Sequence, residues 1–167
     1  MIESSVVVHP ATPDEVSECV SLWVGAVAAR DGVPESDAVR ERAGAKFAVA
    51  RVALLVAAGV DGTVDGFALV TAPGTGEPTD PEDAAYLSLL AVRPDVQARG
   101  LGRALLTASI GAASDAGHAA VVLHALAANE RALRLYESGG FRPNGVEFPH
   151  ALTGRTTLTY IAAHAPR

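Results

Sequence analysis

A predicted strand passes into a predicted helix through the stretch Gln97-Ala98-Arg99-Gly100-Leu101-Gly102. The apolar segment Ala84–Val92 precedes this turn, and Arg103–Ala116, rich in Ala and Leu, follows it. The unpaired backbone N–H groups at the start of a helix attract anions, and the helix dipole adds to the attraction. Gly100 and Gly102 leave room for a phosphate to touch the backbone. The turn therefore predicts a site for a phosphorylated cofactor.

Two nucleotide-binding motifs do not fit this turn. The dinucleotide fingerprint GxGxxG needs a third glycine, but Ala104 and Leu105 follow Gly100-Leu101-Gly102. The nucleoside-triphosphate loop needs a lysine directly after a glycine-rich loop. Lys46 is the only lysine of the chain, and it lies far from this turn. A nucleotide-binding regulator is therefore disfavoured.

Two sequence blocks fit another pattern. The stretch Val92–Gly102 resembles the acyl-CoA-binding signature of the GNAT superfamily of N-acetyltransferases, in which Gln or Arg, two residues, Gly, one residue, and Gly or Ala surround the CoA pyrophosphate. Asn129–Glu137, followed by Gly139-Gly140-Phe141, resembles the second conserved block of that family. The resemblance covers Ala84–Phe141, and two blocks in the right order are far more specific than either alone.

The resemblance implies a fold and an activity. The expected fold is α/β, with a mixed, mostly antiparallel central sheet of about six to seven strands flanked by about four helices. A chain of 167 residues most economically forms one domain, residues 1–167. The implied activity is transfer of an acetyl group from acetyl-CoA to a primary amine of a small molecule or peptide, by direct attack in a ternary complex. The alternative is a non-enzymatic acyl-CoA-binding regulatory module.

The resemblance also implies which residues hold coenzyme A. The pyrophosphate would lie on backbone N–H groups of about Ala98–Arg103, and the pantetheine arm would pair with backbone near Leu90 and Val92. The N–H of Leu90 or its neighbour would polarise the thioester carbonyl, and Asn129 would bond the arm. The full set of cofactor residues is Leu90, Ala91, Val92, Gln97, Ala98, Arg99, Gly100, Leu101, Gly102, Arg103 and Asn129. No metal-ligand spacing occurs among the histidines and the cysteine.

Amide formation needs an acid and a base. A lysine-like amine is neutral in only about one molecule in a thousand or fewer near pH 7, so a base must remove its proton, and an acid must protonate the departing thiolate. Tyr136 stands seven residues after Asn129, where the family usually places its thiolate-protonating tyrosine. The family's carboxylate on the strand Ala84–Val92 is missing, because Tyr86 stands near its position. His124, in an otherwise apolar strand, is the favoured base.

The sequence offers other candidate bases besides His124, and it does not identify the acceptor amine. Glu82 and Asp83 precede the strand Ala84–Val92 and are alternative bases, as is a water chain. His150 is a candidate for lining an acceptor pocket. The family builds such pockets from the segment between the first two helices, here about Ala29–Ser36, and from the last hairpin, about Val146–Arg155. Neither stretch identifies the amine.

The composition of the chain argues against some classes of binding partner and some cellular locations. The formal net charge is −6 and no basic run occurs, which argues against nucleic acid as a partner. No apolar run is long enough to span a membrane, and no secretion signal is evident, so we expect a cytoplasmic protein. Cys19 cannot form an internal disulfide and is expected on the apolar face of the first helix. A homodimer is possible by analogy with the family.

Periodicity and turn residues predict the element order β-α-α-β-β-β-α-β-α-β-β. Thr12-Pro13-Asp14-Glu15 indicates the start of the first helix, as a capping box with proline at the first position. Val6–His9 is the predicted first strand, and Phe47–Ala58 and Val64–Thr71 form a predicted hairpin. The segment Ala72–Asp83, rich in Pro and Gly, is a predicted loop.

Overall fold

A computed structural model describes residues 7–59 and 61–163, with the side chains of residues 97–99 left outside the description. Its strands are β1 (Val8–Pro10), β2 (Arg51–Ala58), β3 (Val64–Thr71), β4 (Ala84–Val92), β5 (Ala120–Leu126), β6 (Arg142–Pro149) and β7 (Thr156–Ala163). Its helices are α1 (Val16–Asp31), α2 (Asp37–Phe47), α3 (Leu101–Asp115) and α4 (Glu130–Ser138), with short 3-10 helices at Pro13–Glu15 and Pro94–Arg99. The strands form one sheet in the order β1-β2-β3-β4-β5-β7-β6.

The helices cover both faces of this sheet. Successive side chains of a strand point to opposite faces, so Phe67 and Leu69 face one layer while Ala68 and Val70 face the other. The first pair packs with residues of α1 and α2, and the second pair packs with residues of α3. The site described below lies between these layers, where the sheet itself opens.

The sheet opens between its two parallel strands. In the part of the chain that the structure describes, β4 pairs with β5 only over Ala84–Tyr86, whereas β5 pairs with β7 along its whole length. A register shift in the pairing of β3 with β4 leaves Ser88 between Leu87 and Leu89 without a Cα partner. Such a bulge bends a strand and increases its twist. Past Tyr86, one edge of β4 therefore faces a groove instead of a neighbouring strand.

The predicted fold class and element order are confirmed. One boundary prediction was wrong: Phe47 is the last residue of α2, and the following strand begins at Arg51. The Phe47 ring packs against Phe67 with a centroid distance of 5.9 Å, so a tertiary contact overrides its preference for a strand. The predicted first strand Val6–His9 is observed as Val8–Pro10, and Val6 lies outside the described residues.

The predicted helix start forms the 3-10 helix Pro13–Glu15 with Thr12 as its N-cap, and α1 follows directly at Val16. The Glu15 carboxylate accepts a hydrogen bond of 2.9 Å from the Thr12 N–H, which is half of the predicted capping box. Cys19 is buried on the inner face of α1, and burial raises the pKa of its thiol to about 12. A thiol with so high a pKa is inert. Among residues 7–59 and 61–163, no helix is long and apolar enough to cross a bilayer.

Candidate active site

A groove of about 720 Å³ runs along the open edge of β4. Its floor is Leu87–Val92 of β4 together with Leu123–Leu126 of β5. The start of α3 and one face of α4 close one end, while α1, α2 and the β6–β7 hairpin close the other. This volume lies in the range of small-molecule sites. The two ends of the groove differ in chemistry.

The α3 end of the groove is made of backbone. Gly100 adopts φ +76° and ψ 14°, a left-handed conformation that glycine reaches without strain, and α3 begins at the next residue. The first N–H groups of α3 have no acceptors within the helix. Gly100, Gly102 and Arg103 line the groove here. This end can hold an anion, as the sequence predicts, while the side chains predicted at Gln97, Ala98 and Arg99 lie outside the described residues.

Gly102 has a packing role that the sequence does not reveal. It is buried, and a Cβ atom at this position would lie 3.0 Å from Cδ2 of Leu135 in α4. The glycine thus lets α3 and α4 approach closely. The two glycines of the turn therefore differ: Gly100 is needed for its backbone conformation and Gly102 for helix packing. Leu101, another predicted cofactor residue, is buried in the core.

The open edge of β4 carries three further predicted cofactor residues. Leu90, Ala91 and Val92 line the groove, while the other edge of the strand pairs with β3. Asn129 also lines the groove, and its side chain caps α4 by accepting a hydrogen bond of 3.3 Å from the Ala132 N–H. The structure therefore brings these four residues and the start of α3 to one continuous wall.

Tyr136 points from α4 into the same groove. It follows Asn129 by seven residues, about two helical turns, so both lie on one face. Its ring packs against Phe141 at a centroid distance of 6.3 Å, and its hydroxyl makes no hydrogen bond to the described residues. Burial raises the pKa of Tyr136 to about 12. The phenol is therefore protonated at neutral pH and can act as a proton donor.

The other end of the groove holds a chain of polar side chains, which we call the Asp80–Lys46 network: Asp80, His124, Tyr86 and Lys46. His124 Nε2 lies 2.8 Å from the Asp80 carboxylate, and its Nδ1 lies 3.3 Å from the Tyr86 hydroxyl. The side chains of His124 and Asp80 are only 8% and 5% exposed, so this contact replaces water for both. A carboxylate can only accept, so Nε2 carries the hydrogen and Nδ1 of a neutral ring presents its lone pair to Tyr86.

Lys46 completes the network from α2. Its Nζ donates to the Tyr86 hydroxyl at 3.3 Å and to the backbone oxygen of Ser88 at 3.4 Å. Burial, with a smaller effect of the nearby Arg42 charge, lowers the pKa of Lys46 to about 8. Burial also raises the pKa of Tyr86 to about 12. Tyr86 therefore stays protonated between a histidine that can accept its proton and an amine that donates to its oxygen.

Sequence reasoning found His124 but missed its carboxylate. Glu82 and Asp83 are exposed and form no contact with His124 among the described residues, whereas Asp80 does. The Glu77 N–H donates to Asp80 at 2.9 Å, and a Cβ at Gly76 would collide with the same carboxylate. The available signal was a histidine in an apolar strand, which requires a polar partner. Spacing alone could not say which acid of the loop provides it.

Parts of both predicted acceptor segments line the hairpin end of the groove, namely residues 29–31 of the first and several residues of the last hairpin. Phe148 packs edge-on against His124 at 5.0 Å, and His150 lines the groove nearby. Burial lowers the pKa of His150, and its Nδ1 accepts from the Leu152 N–H at 3.1 Å. Within the described ranges, no three His, Cys, Asp or Glu residues form a metal-binding group.

The sheet thus splits between a pair of parallel strands, and the start of α3 and Tyr136 both line the groove at the split. The model of the acetyltransferase (GNAT) family matches residues 22–141. The chain therefore belongs to the GNAT acetyltransferase family. This membership confirms the family that the two sequence blocks predict.

Individual relatives agree with this assignment. The mycothiol acetyltransferase of Clavibacter sepedonicus is 37% identical over 94 residues, which are 56% of this chain and 28% of that protein. The chain thus spans less than a third of this curated relative. A Corynebacterium glutamicum structure of histone acetyltransferase HPA2 and related acetyltransferase is 26% identical, with a TM-score of 0.73 over 97% of this chain and 98% of that one. A Bacillus subtilis acetyltransferase in complex with CoA is 16% identical, with a TM-score of 0.69 over 96% and 98% of the two chains.

Proposed function

We propose that this protein transfers an acetyl group from acetyl-CoA to a primary amine of a small molecule or peptide. The observation that carries the proposal is the meeting of two ends in one groove: a backbone anion site at the start of α3 and a proton-accepting side-chain network beyond it. An amine that attacks a thioester must lose a proton, and the thiolate that leaves must gain one. Each end of the groove offers groups suited to one of these tasks.

Coenzyme A would lie with its pyrophosphate on the N–H groups at the start of α3. The charge of the pyrophosphate suits both the helix dipole and the Arg103 side chain. The pantetheine arm would then run along Leu90–Val92 toward Asn129, on the edge of β4 that pairs with no strand among the described residues. The Bacillus subtilis acetyltransferase, which shares this fold, was solved in complex with CoA, and this supports CoA as the cofactor.

The thioester carbonyl would accept a hydrogen bond from backbone of β4 near Leu90. Negative charge develops on this oxygen in the tetrahedral intermediate, and a backbone N–H already in position stabilises it without reorganisation. The bulge at Ser88 turns the strand directly before this point.

The base would be His124, acting through Tyr86. Both ring nitrogens of His124 are engaged, so the group nearest an incoming amine is the Tyr86 hydroxyl. The amine gives its proton to the Tyr86 oxygen while the phenolic proton passes to His124 Nδ1. Tyr86 never becomes a phenolate, which its raised pKa would make costly. The Asp80 carboxylate then pairs with the imidazolium.

The acid would be Tyr136. Its hydroxyl is protonated at neutral pH and is not used by the described residues. When the C–S bond breaks, the phenolic proton moves to the CoA thiolate, and solvent returns a proton to Tyr136. We expect Tyr136→Phe to lower turnover about 10- to 100-fold with little change in acetyl-CoA affinity.

The experiment combines binding and turnover. Calorimetry measures acetyl-CoA affinity, and thiol release is followed with a panel of primary amines, an amino acid and short peptides with free N-termini. Tyr160→Phe is the matched control, because it also removes one phenol, whose partner is Glu137 outside the groove walls. Absence of acetyl-CoA binding contradicts the proposal. Binding without thiol release on every amine favours the regulatory module instead.

A further inference from the structure

Lys46 is a half-buried amine that the proposed mechanism does not use. It is the only lysine among 13 Lys and Arg residues in the chain. Arginine serves wherever a cation alone is needed, because its guanidinium stays charged in proteins. A lysine can lose its proton and attack an electrophile. This single lysine lines the groove of a chain that belongs to the acetyltransferase family.

The surroundings of Lys46 are those that an acceptor amine requires. Its Nζ donates to the Tyr86 hydroxyl at 3.3 Å, and Tyr86 in turn contacts His124 Nδ1 at 3.3 Å. Its second contact is the Ser88 backbone oxygen at 3.4 Å. Ser88 precedes Leu90 by two residues, so the amine lies roughly 7 Å along β4 from the proposed thioester site. The flexible four-carbon stem of Lys46 lets Nζ move along β4 toward that site when the whole side chain changes rotamer.

From these contacts we propose that Lys46 is a self-acetylation site: bound acetyl-CoA transfers its acetyl group to Lys46 Nζ within the same molecule. This step rests on the proposed function, since it uses the same donor and the same proton path. The Nζ lone pair attacks the thioester carbonyl, an N–C bond forms and the C–S bond breaks. The proton of Nζ passes through Tyr86 to His124, and the CoA thiolate takes a proton from Tyr136. The products are Nε-acetyl-Lys46 and CoA.

The charge state of Lys46 favours the reaction. With a pKa of about 8, about one amine in ten is neutral at pH 7, compared with about one in a thousand or fewer for an exposed lysine. The ionisable groups around it are Arg42 on α2, Glu77 in the loop before β4, Tyr86 with His124 behind the phenol, and His150 between β6 and β7. No described carboxylate forms an ion pair with Lys46. The amine is therefore not held in its charged form by a direct partner.

Acetylation would change the groove. The acetylated nitrogen has one hydrogen left and no charge, and the acetyl group occupies space beside Tyr86. An external amine needs the same hydroxyl for its own proton. Acetylated Lys46 would thus obstruct the acceptor end, and the modification would accumulate when acetyl-CoA is present without an acceptor.

The test is mass spectrometry of the full chain. The protein is incubated with acetyl-CoA in the absence of any amine, and intact mass is followed by peptide mapping. We expect one acetyl group at Lys46 in the native protein and at least a tenfold slower reaction in protein unfolded with urea. Excess CoA, which competes for the groove, should suppress labelling of the wild type. Labelling should increase about tenfold when the pH is raised from 6 to 7, and it should level off above pH 8, where the amine is mostly neutral.

Lys46→Arg is the matched variant, because it keeps the positive charge and removes the nucleophile. It should bind acetyl-CoA with unchanged affinity and stay unlabelled. Transfer to external amines with Lys46 unmodified overturns the self-acetylation but leaves the proposed function intact. Labelling that is equal in unfolded protein, or insensitive to CoA, overturns it as ordinary chemical acetylation. Binding of acetyl-CoA without transfer to Lys46 or to any amine overturns both.

Discussion

The two ends of the groove are built in different ways. The α3 end is formed by consecutive residues, in which Gly100 turns the chain and the next residues begin a helix. The Asp80–Lys46 network draws one residue each from a loop, β5, β4 and α2. Backbone N–H groups bind an anion because of the direction in which they point, and this does not depend on which side chains are present. Proton transfer, by contrast, needs particular side chains at particular distances. A change at one end should therefore alter binding, and a change at the other should alter turnover.

His124→Gln should give the largest effect. Glutamine can still donate to the buried Asp80, but it cannot accept and hold a proton. We expect turnover to fall about 100-fold or more, as for loss of a general base, with acetyl-CoA affinity within about threefold of the wild type. Steady-state kinetics and calorimetry measure the two quantities. Turnover that changes less than threefold removes His124 from the proton path.

Gly100→Glu should have the opposite pattern. A carboxylate beside the helix start repels the pyrophosphate, and we expect acetyl-CoA affinity to fall about 10- to 100-fold. Gly62→Glu is the control, because Gly62 also has a left-handed φ, +80°, and nothing within 4 Å of an added Cβ, as at Gly100. Equal losses of affinity in both variants would mean that backbone strain, not the anion site, explains the effect.

Asp80→Asn should reduce turnover by about tenfold, a smaller loss than that of His124→Gln. The amide oxygen can still accept from His124 Nε2, but the negative charge that pairs with the imidazolium is gone. Glu82→Gln removes a charge from the same loop at an exposed position and should leave turnover unchanged. A larger loss of turnover in Glu82→Gln than in Asp80→Asn would indicate that a carboxylate directly before β4, and not His124, is the base.

Gly102→Ala should affect stability rather than chemistry. The added Cβ meets Leu135 at 3.0 Å, whereas at Gly111, in the same helix, nothing lies within 4 Å. Gly111→Ala should gain up to about 1 kcal/mol from helix propensity. We expect the free energy of unfolding of Gly102→Ala in urea to lie about 1–2 kcal/mol below that of Gly111→Ala. Equal free energies of unfolding for the two variants would show that α4 shifts away from the added Cβ without a cost in stability.

The sequence predicted the cofactor end more completely than the acceptor end. Gly100 and the following helix are adjacent in the chain, so their spacing carries the geometry. Asn129 and Tyr136 share one helix, so their common face also follows from spacing. Asp80 and His124 are 44 residues apart and Lys46 and Tyr86 are 40 apart. No local pattern relates such pairs, and the sequence offered Glu82 and Asp83 only as alternative bases, without predicting a carboxylate partner for His124.

The amino-acid sequence by itself determined the element order, the helix that begins after Gly100 and the family, because turn residues and periodicity act over a few neighbouring positions. Only the tertiary structure decided which carboxylate meets His124, why Gly102 must be small, and that the sole lysine lies beside Tyr86. These contacts depend on how β4 and β5 separate and on which helices cover the opening. Packing sets both, since it joins residues that the chain keeps far apart.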